Sequence, residues 1–310
     1  MTFSVTILGS SSALPTSQRF PAAHALNVHE RLFLVDCGEG TQIQLRKYKQ
    51  KLSRLEQIFI SHLHGDHVLG LVGLISTLNL LGRKAPLTIW AHAPLQPILD
   101  QNLKFFVNEL KFSIVFKALD TKNRKVIFED KTLTIESIPL KHRIPSTGFI
   151  FKEKPKQPNI RKELIDKYSI PLADIIRIKE GADFVTPQGQ IIPNSELTHV
   201  SSPPRSYAYC SDTKHFDGLA EMVHGVDLLY HEATFSKDLT KMARSTGHST
   251  AEQAAKIAEL AKVKRLIIGH FSSRYKDVDV LVNEARKIFT ETYAAEEGLE
   301  FKIKSHREDI

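Results

Sequence analysis

The sequence predicts an α/β protein of layered sheets and helices, and three observations lead there. Strand-like runs alternate with helix-like runs along most of the chain. Composition is that of an ordinary globular protein, 42% hydrophobic and 25% charged over 310 residues, enough for a large core. No segment approaches the roughly 18 apolar residues that a membrane span requires. In order, Phe3–Gly9, Arg31–Asp36, Gln57–Ser61 and Leu87–Trp90 read as strands, with helices over Val68–Leu81 and Pro94–Glu109. Strand signals recur at Thr132–Pro139, Ser206–Ser211, Val226–His231 and Arg265–Gly269, and helical periodicity at Thr250–Ala261 and Asp277–Thr290. No internal sequence repeat is visible.

The texture changes between Phe151 and Pro204. Lys154-Pro155-Lys156-Gln157-Pro158, Ile170-Pro171, Thr186-Pro187-Gln188-Gly189 and Ser201-Ser202-Pro203-Pro204 punctuate short charged segments there. More than about 50 structureless residues inside a domain would be unusual. The reading is therefore one domain over Met1–Ile310 with an arm, Lys152–Pro204, inserted into it.

A net charge of +7 favours an anionic partner, because basic surface attracts phosphates and releases their counterions. The two cysteines, Cys37 and Cys210, stand far apart. They exclude a disulfide framework and a cysteine zinc site and read as buried small hydrophobes. The N-terminus alternates like a strand and lacks the features of a secretory leader, so the expected location is the cytoplasm.

The most informative stretch is Ser61-His62-Leu63-His64-Gly65-Asp66-His67, at the junction of a strand-like and a helix-like run. Extended backbone over residues 62 to 66 would put His62, His64 and Asp66 on one side, with His67 turning inward as the helix begins. Imidazole and carboxylate are natural ligands of Zn²⁺, and this many exceed what one tetrahedral ion draws from so short a segment. Two ions is the economical reading. Downstream, His142, Asp212 and His270 each follow a strand-like run.

His-x-His-x-Asp-His with these later residues resembles the metallo-β-lactamase superfamily, which implies a four-layer αββα sandwich. It also implies that His62, His64 and His142 hold one zinc, that Asp66, His67 and His270 hold the second, and that Asp212 bridges them. Further segments resemble the short-form ribonuclease Z family: Ile7-Leu8-Gly9-Ser10, Asp36-Cys37-Gly38-Glu39-Gly40-Thr41-Gln42, Ser211-Asp212-Thr213, His231-Glu232-Ala233-Thr234, His248-Ser249-Thr250 and Gly269-His270-Phe271-Ser272-Ser273-Arg274-Tyr275. That resemblance implies a two-zinc endoribonuclease that cuts the 3′ trailer from precursor tRNA, an RNA-gripping arm (the exosite) and a homodimer. His248 suits the role of proton donor to the departing ribose oxygen, with Glu232 accepting its second N–H; Asp66 can also orient the attacking water.

Arg19, Arg274, Tyr275, Lys154, Lys156, Arg161 and Lys162 are candidate RNA contacts. His24, His29, His92, His199, His215, His224 and His306 match no ligand position and read as structural or surface residues; His231 is given no chemical role. The chain departs from the family pattern in Pro15-Thr16-Ser17-Gln18-Arg19-Phe20, which lacks the usual lysine and asparagine, and in Pro171-Leu172-Ala173-Asp174, where many relatives carry Gly-Pro. An alternative enzyme is a phosphodiesterase of the same fold acting on small or non-tRNA substrates. A non-enzymatic scaffold would require broken ligand positions, and none is broken.

Overall fold

Alternating strands and helices resolve, in a computed structural model, into two seven-stranded sheets packed face to face, with helices on both outer faces. It describes residues 1–107, 109–199 and 202–305; His306 and Ser201 lie outside the described residues. The first sheet runs in the order Glu300–Lys302, Phe3–Gly9, Ala23–Val28, Arg31–Val35, Leu55–Phe59, Leu87–Ala91, Ile114–Ala118. The second runs Thr292–Ala294, Arg265–Gly269, Leu228–Glu232, Ser206–Cys210, Ser146–Glu153, Leu133–Leu140, Lys125–Glu129. Each sheet joins an antiparallel portion to a parallel one.

The layers follow from side-chain alternation. Phe3, Val5, Ile7, Phe33 and Phe59 of the first sheet meet Phe149, Phe151, Tyr207, Tyr209 and Ile267 of the second in the central core. The opposite face of the first sheet buries Leu34, Ile58 and Ile89 against Leu45, Leu74, Leu78 and Leu99 of the helices Thr41–Lys47, Leu71–Leu80 and Leu95–Phe106. That of the second buries Ala208, Leu229 and Ile268 against Ala254, Ala258 and Leu281 of Ala251–Leu260 and Asp279–Arg286. Cys37 and Cys210 are buried, and burial pushes the Cys37 thiol up to about 12. Among the described residues no helix is long and apolar enough to cross a membrane.

The differences from the sequence reading have local causes. The strand expected over Gln57–Ser61 is Leu55–Phe59, because the Ser61 N–H turns to the Asp36 carboxylate at 2.7 Å. The helix expected over Val68–Leu81 is two helices, Gly65–Val68 and Leu71–Leu80, broken beside Gly70, whose backbone passes under Gly38. Asp66 therefore sits on a helical turn rather than on extended chain, and only His62 and His64 fit the alternation expected of them. The last helix shrinks to Asp279–Arg286.

Lys152 and Glu153 still belong to the second sheet, where Lys152 pairs with Ser206. Beyond them, Asn159–Ile160 pairs with Thr198–His199 and Phe184–Val185 with Ile191–Ile192, around the helices Lys162–Tyr168 and Leu172–Lys179. Ile170, Ile178, Phe184, Ile192 and Leu197 form an apolar cluster separate from the body's cores. At its base the buried Glu153 carboxylate receives the Arg205 guanidinium at 2.7 and 2.9 Å and the His29 ring at 2.5 Å. Arg205 also donates to the carbonyls of Ile303 and Met1.

Candidate metal centre and proton donor

The ligand-type residues gather at one edge of the sandwich, where parallel strands end. Asp212 follows Ser206–Cys210 by two residues, Glu232 ends Leu228–Glu232 and His270 directly follows Arg265–Gly269. Close packing beneath this edge accounts for the Asp36-Cys37-Gly38 motif: a Cβ on Gly38 would lie 2.4 Å from the carbonyl of Asp66, so only glycine lets the two loops touch. Gly247 is constrained as tightly. Its φ is +80°, and a Cβ there would meet His142 Nδ1 at 2.9 Å.

Two donor clusters result, His62, His64, His142 and Asp212, and Asp66, His67 and His270 beside the same Asp212, and His248 closes a third group with Asp212 and His270. A tetrahedral ion with bonds of about 2.0–2.1 Å sets its ligands about 3.3–3.4 Å apart. In the first cluster His64 Nδ1 lies 3.0 Å from His62 Nε2 and 3.3 Å from His142 Nε2, with Asp212 Oδ2 at 3.5 and 3.7 Å from those two Nε2 atoms. In the second, Asp66 Oδ2 lies 3.4 Å from His67 Nε2 and from His270 Nε2, and Asp212 Oδ1 lies 3.4 and 3.1 Å from the same nitrogens. His67 Nε2 is buried without a hydrogen-bond partner. The donor set fits two divalent ions, with Asp212 presenting one oxygen to each cluster.

The other ring nitrogens are held from behind, which fixes tautomer and orientation. His67 Nδ1 meets Asp36 Oδ2 at 2.8 Å, His62 Nδ1 meets Ser61 Oγ at 3.0 Å, His142 Nδ1 meets the Gly247 carbonyl at 2.8 Å and His270 Nδ1 meets Thr234 Oγ1 at 2.9 Å. Asp36, which opens the motif Asp36-Cys37-Gly38, has no role assigned from the sequence, yet its buried carboxylate also accepts from Ser61 and from Tyr209 across the central core at 2.7 Å. Its signal was a carboxylate directly after an apolar strand. Electrostatics favour positive charge here: burial opposes the charged form of His67, but Asp212, Asp36 and Asp66 hold its pKa well above the ordinary value. Burial lowers His64 to about 4, keeping it a neutral donor.

His248 stands beside this centre with a different set of partners. Its Nδ1 lies 2.9 Å from Glu232 Oε1 and 3.8 Å from Asp212 Oδ2. Glu232, fully buried, also accepts the Thr213 and Thr234 N–H groups and the Thr234 hydroxyl. Burial disfavours the His248 imidazolium, but the Glu232 carboxylate outweighs it and raises the pKa to about 9. Ser249 Oγ donates to the Thr213 carbonyl at 2.7 Å, tying this loop to that of Asp212, and Thr250 caps Ala251–Leu260 in a reciprocal bond with Gln253. His231 is buried, with Nδ1 on the Glu232 carbonyl. His24 lies between the sheets on Tyr207, with burial lowering it to about 3.

The candidate RNA contacts are spread more widely. Arg19 donates to the Tyr275 carbonyl, and Tyr275 Oη meets Ser236, so these two tie loops near the site together. Arg274 is exposed, 5.3 Å above the Phe235 ring. Lys154 pairs with Glu129 at the sheet edge, while Lys156, Arg161 and Lys162 lie on the arm. Unforeseen in the sequence, the Ala13 N–H donates to Asp66 Oδ2 at 2.7 Å, bringing the N-terminal loop to the metal centre.

A four-layer sandwich with this His/Asp edge is a metallo-β-lactamase fold, and residues 198–271 match the family model for the beta-lactamase superfamily domain. Residues 3–157 match the model for the anti-Pycsar protein Apyc1. The chain belongs to the ribonuclease Z family: it is 51% identical to the ribonuclease Z of Phocaeicola vulgatus, covering 98% of each chain, and 48% identical to that of Bacteroides fragilis, covering 96% of this chain and 98% of the other. The crystal structure of human tRNase Z, short form, superposes with a TM-score of 0.70 at 28% identity, covering 97% of this chain and 99% of that one.

Proposed function

We propose that the chain is a zinc-dependent endoribonuclease that removes the 3′ trailer from precursor tRNA, leaving a 3′-OH on the tRNA and a 5′-phosphate on the trailer. The observation that carries this reading is the His248–Glu232 pair beside two fitted donor clusters, in a chain 51% identical to a ribonuclease Z. Two zinc ions per subunit would be held by His62, His64 and His142 and by Asp66, His67 and His270, with Asp212 shared. When bound, they supply Lewis-acid polarisation of the scissile phosphate and acidification of the attacking water.

The protein's own groups do the rest. With Nδ1 committed to Glu232, His248 presents Nε2 as the proton donor to the departing 3′ oxygen, and Glu232 stabilises the imidazolium between turnovers. Asp66, steadied by the Ala13 N–H, orients the water. The arm, with Lys156, Arg161 and Lys162, grips the body of the tRNA through its phosphates, and the exposed Arg274 beside Tyr275 supplies a further phosphate contact. Resemblance to the family supports a homodimer working in the cytoplasm.

The test is to map cleavage of a precursor tRNA with and without an encoded CCA, zinc present. A single cut after the tRNA body supports the reading; cleavage of a simple phosphodiester with precursor tRNA left intact would replace it with a small-substrate phosphodiesterase. Deleting the arm should spare the simple diester, weaken binding of precursor tRNA and make that binding less steeply salt-dependent.

A further inference from the structure

His248 is the wall between two cavities. One, about 320 Å³, opens on the metal centre through His64, Asp66, Asp212 and His270. The other, about 370 Å³, lies on the far side of His248 and is lined by Lys214, His215, Thr240, Arg244 and Gln253 as well. No carboxylate is among the residues lining this second cavity, and neither Lys214 nor Arg244 makes an ion pair with any described residue. His215 Nδ1 is buried there without a hydrogen-bond partner, while its Nε2 faces Asp217 at 3.4 Å, outside the lining. Two cations without ion-pair partners around a concavity that no carboxylate lines select an anion.

Their placement is fixed by the same elements that place His248. Lys214 follows Asp212 by two residues, and its N–H is tied to the Lys141 carbonyl at 2.8 Å. Arg244 lies in the helix Thr240–Thr246, whose end turns through Gly247 directly into His248. The backbone at both positions is thus fixed to the loops of a ligand and of the proton donor, and the exposed side chains reach from there into the cavity.

We infer that this second cavity is a subsite for the backbone phosphate one nucleotide 5′ of the cleaved linkage, held by Lys214 and Arg244. The inference rests on the proposed reaction. His248 protonates the 3′ oxygen that remains on the tRNA, so the retained nucleotide must lie against His248, and the strand leading back from it must run past that ring. The cavity beyond the ring is where the preceding phosphate falls. A charged hydrogen bond there is realised whenever the last retained nucleotide is in register, so the subsite positions the scissile bond without reading a base.

The experiment pairs two substrates with two proteins. A precursor tRNA or short 3′-tailed RNA stem is made with an ordinary linkage or an uncharged methylphosphonate at the position one nucleotide 5′ of the cut. Wild-type protein and Lys214→Ala/Arg244→Ala are assayed with zinc. Removing that one charge should cost wild type roughly tenfold in kcat/KM, the scale of a charged hydrogen bond, and cost the double variant little. Equal losses in both proteins, or no loss in wild type, overturn the inference while leaving the ribonuclease reading standing. Failure of wild type to cut the unmodified RNA overturns the reading and the subsite with it. Placing the methylphosphonate two nucleotides further 5′ should cost both proteins the same factor relative to the unmodified RNA; a larger loss in wild type there as well would mean general attraction rather than a subsite.

Discussion

The two sheet-forming portions of the chain, residues 3–118 as the first half and 125–294 as the second, build similar sheets and supply the site in opposite ways. The first half presents His62, His64, Asp66 and His67 from a single junction after Leu55–Phe59, with Asp36 behind them. The second half presents His142, Asp212, Glu232, His248 and His270 from separate loops, each at or beyond a strand end or after a glycine turn. Only the second half carries the proposed proton donor, the bridging carboxylate and the arm. A contiguous segment sets ligand spacing by local backbone geometry, whereas dispersed ligands depend on strand register and on loop-to-loop bonds such as that from Ser249 to Thr213. The spacing of the ligands is thus local in the first half alone, while their orientation depends on distant bonds in both, as from His67 to Asp36 and from Tyr209 to Asp36.

Substituting the one ligand that both clusters share tests this division hardest. Asp212→Ala should remove metal from both clusters together and reduce hydrolysis by at least about 10³-fold, because the ions supply several kcal/mol of transition-state stabilisation. His64→Ala should empty one cluster and leave the other. Metal counted by elemental analysis on the two variants decides the point: if Asp212→Ala retains one full equivalent, the carboxylate does not bridge.

The clasp at the arm's base joins the halves away from the chemistry. Glu153 and Arg205 are 3% and 6% exposed, and removing one partner of a buried pair leaves an uncompensated charge, a loss of about 3–5 kcal/mol. Glu153→Ala should lower the unfolding midpoint accordingly, while the metal content of protein that remains folded stays unchanged. Burial opposes the Glu153 carboxylate, but Arg205 and His29 hold its pKa down at about 2. Its contribution is thus complete above the ordinary carboxyl range and declines as pH falls from there toward about 2. Denaturant melts between pH 6 and pH 3 should show wild type losing stability that Glu153→Ala never had.

The next effect concerns the second half's proton donor. His248→Ala should retain metal and lose at least about 100-fold in turnover on RNA, the usual scale for general acid catalysis. An ester whose leaving group needs no proton should be hydrolysed almost as fast as by wild type. Equal impairment on both substrates would place His248 in metal binding, beside Asp212 and His270 with which its ring also converges.

Sequence reading was strongest where function is local. His62 to His67 could be recognised because the ligands are adjacent, and the helix from Thr250 onward because its periodicity is local, whereas its cap by Thr250 and Gln253 was not read. The strand Ala23–Val28 went unnoticed because His24 and Asn27 interrupt its apolar pattern; His24 is paid for by Tyr207, a partner on the other sheet. The Ala13 bond to Asp66 and the second cavity beyond His248 depend on loops brought together only by the closed sandwich. The helical turn at Asp66 was missed because extended chain and a tight turn place neighbouring ligands similarly, and the deciding contact, Gly38 against Asp66, is tertiary.

The smallest effect separates scaffold from chemistry within the motif His248-Ser249-Thr250. Thr250 Oγ1 accepts the Gln253 N–H at 3.3 Å, and Gln253 Oε1 accepts the Thr250 N–H at 3.0 Å, so the threonine's bonds are those of a helix cap. Losing such a cap costs about 1 kcal/mol. Thr250→Ala should lower stability by that amount and leave turnover on precursor tRNA within about twofold of wild type, because His248 is held independently by Glu232 and by its N–H on the Ala243 carbonyl at 2.8 Å. Thr250→Ser, which keeps the capping oxygen, should restore most of the stability. A turnover loss approaching that of His248→Ala, in protein shown by melting to be folded at the assay temperature, would mean that the cap sets the position of the proton donor. The dispersed half of the site would then depend on helix ends as much as on strand ends.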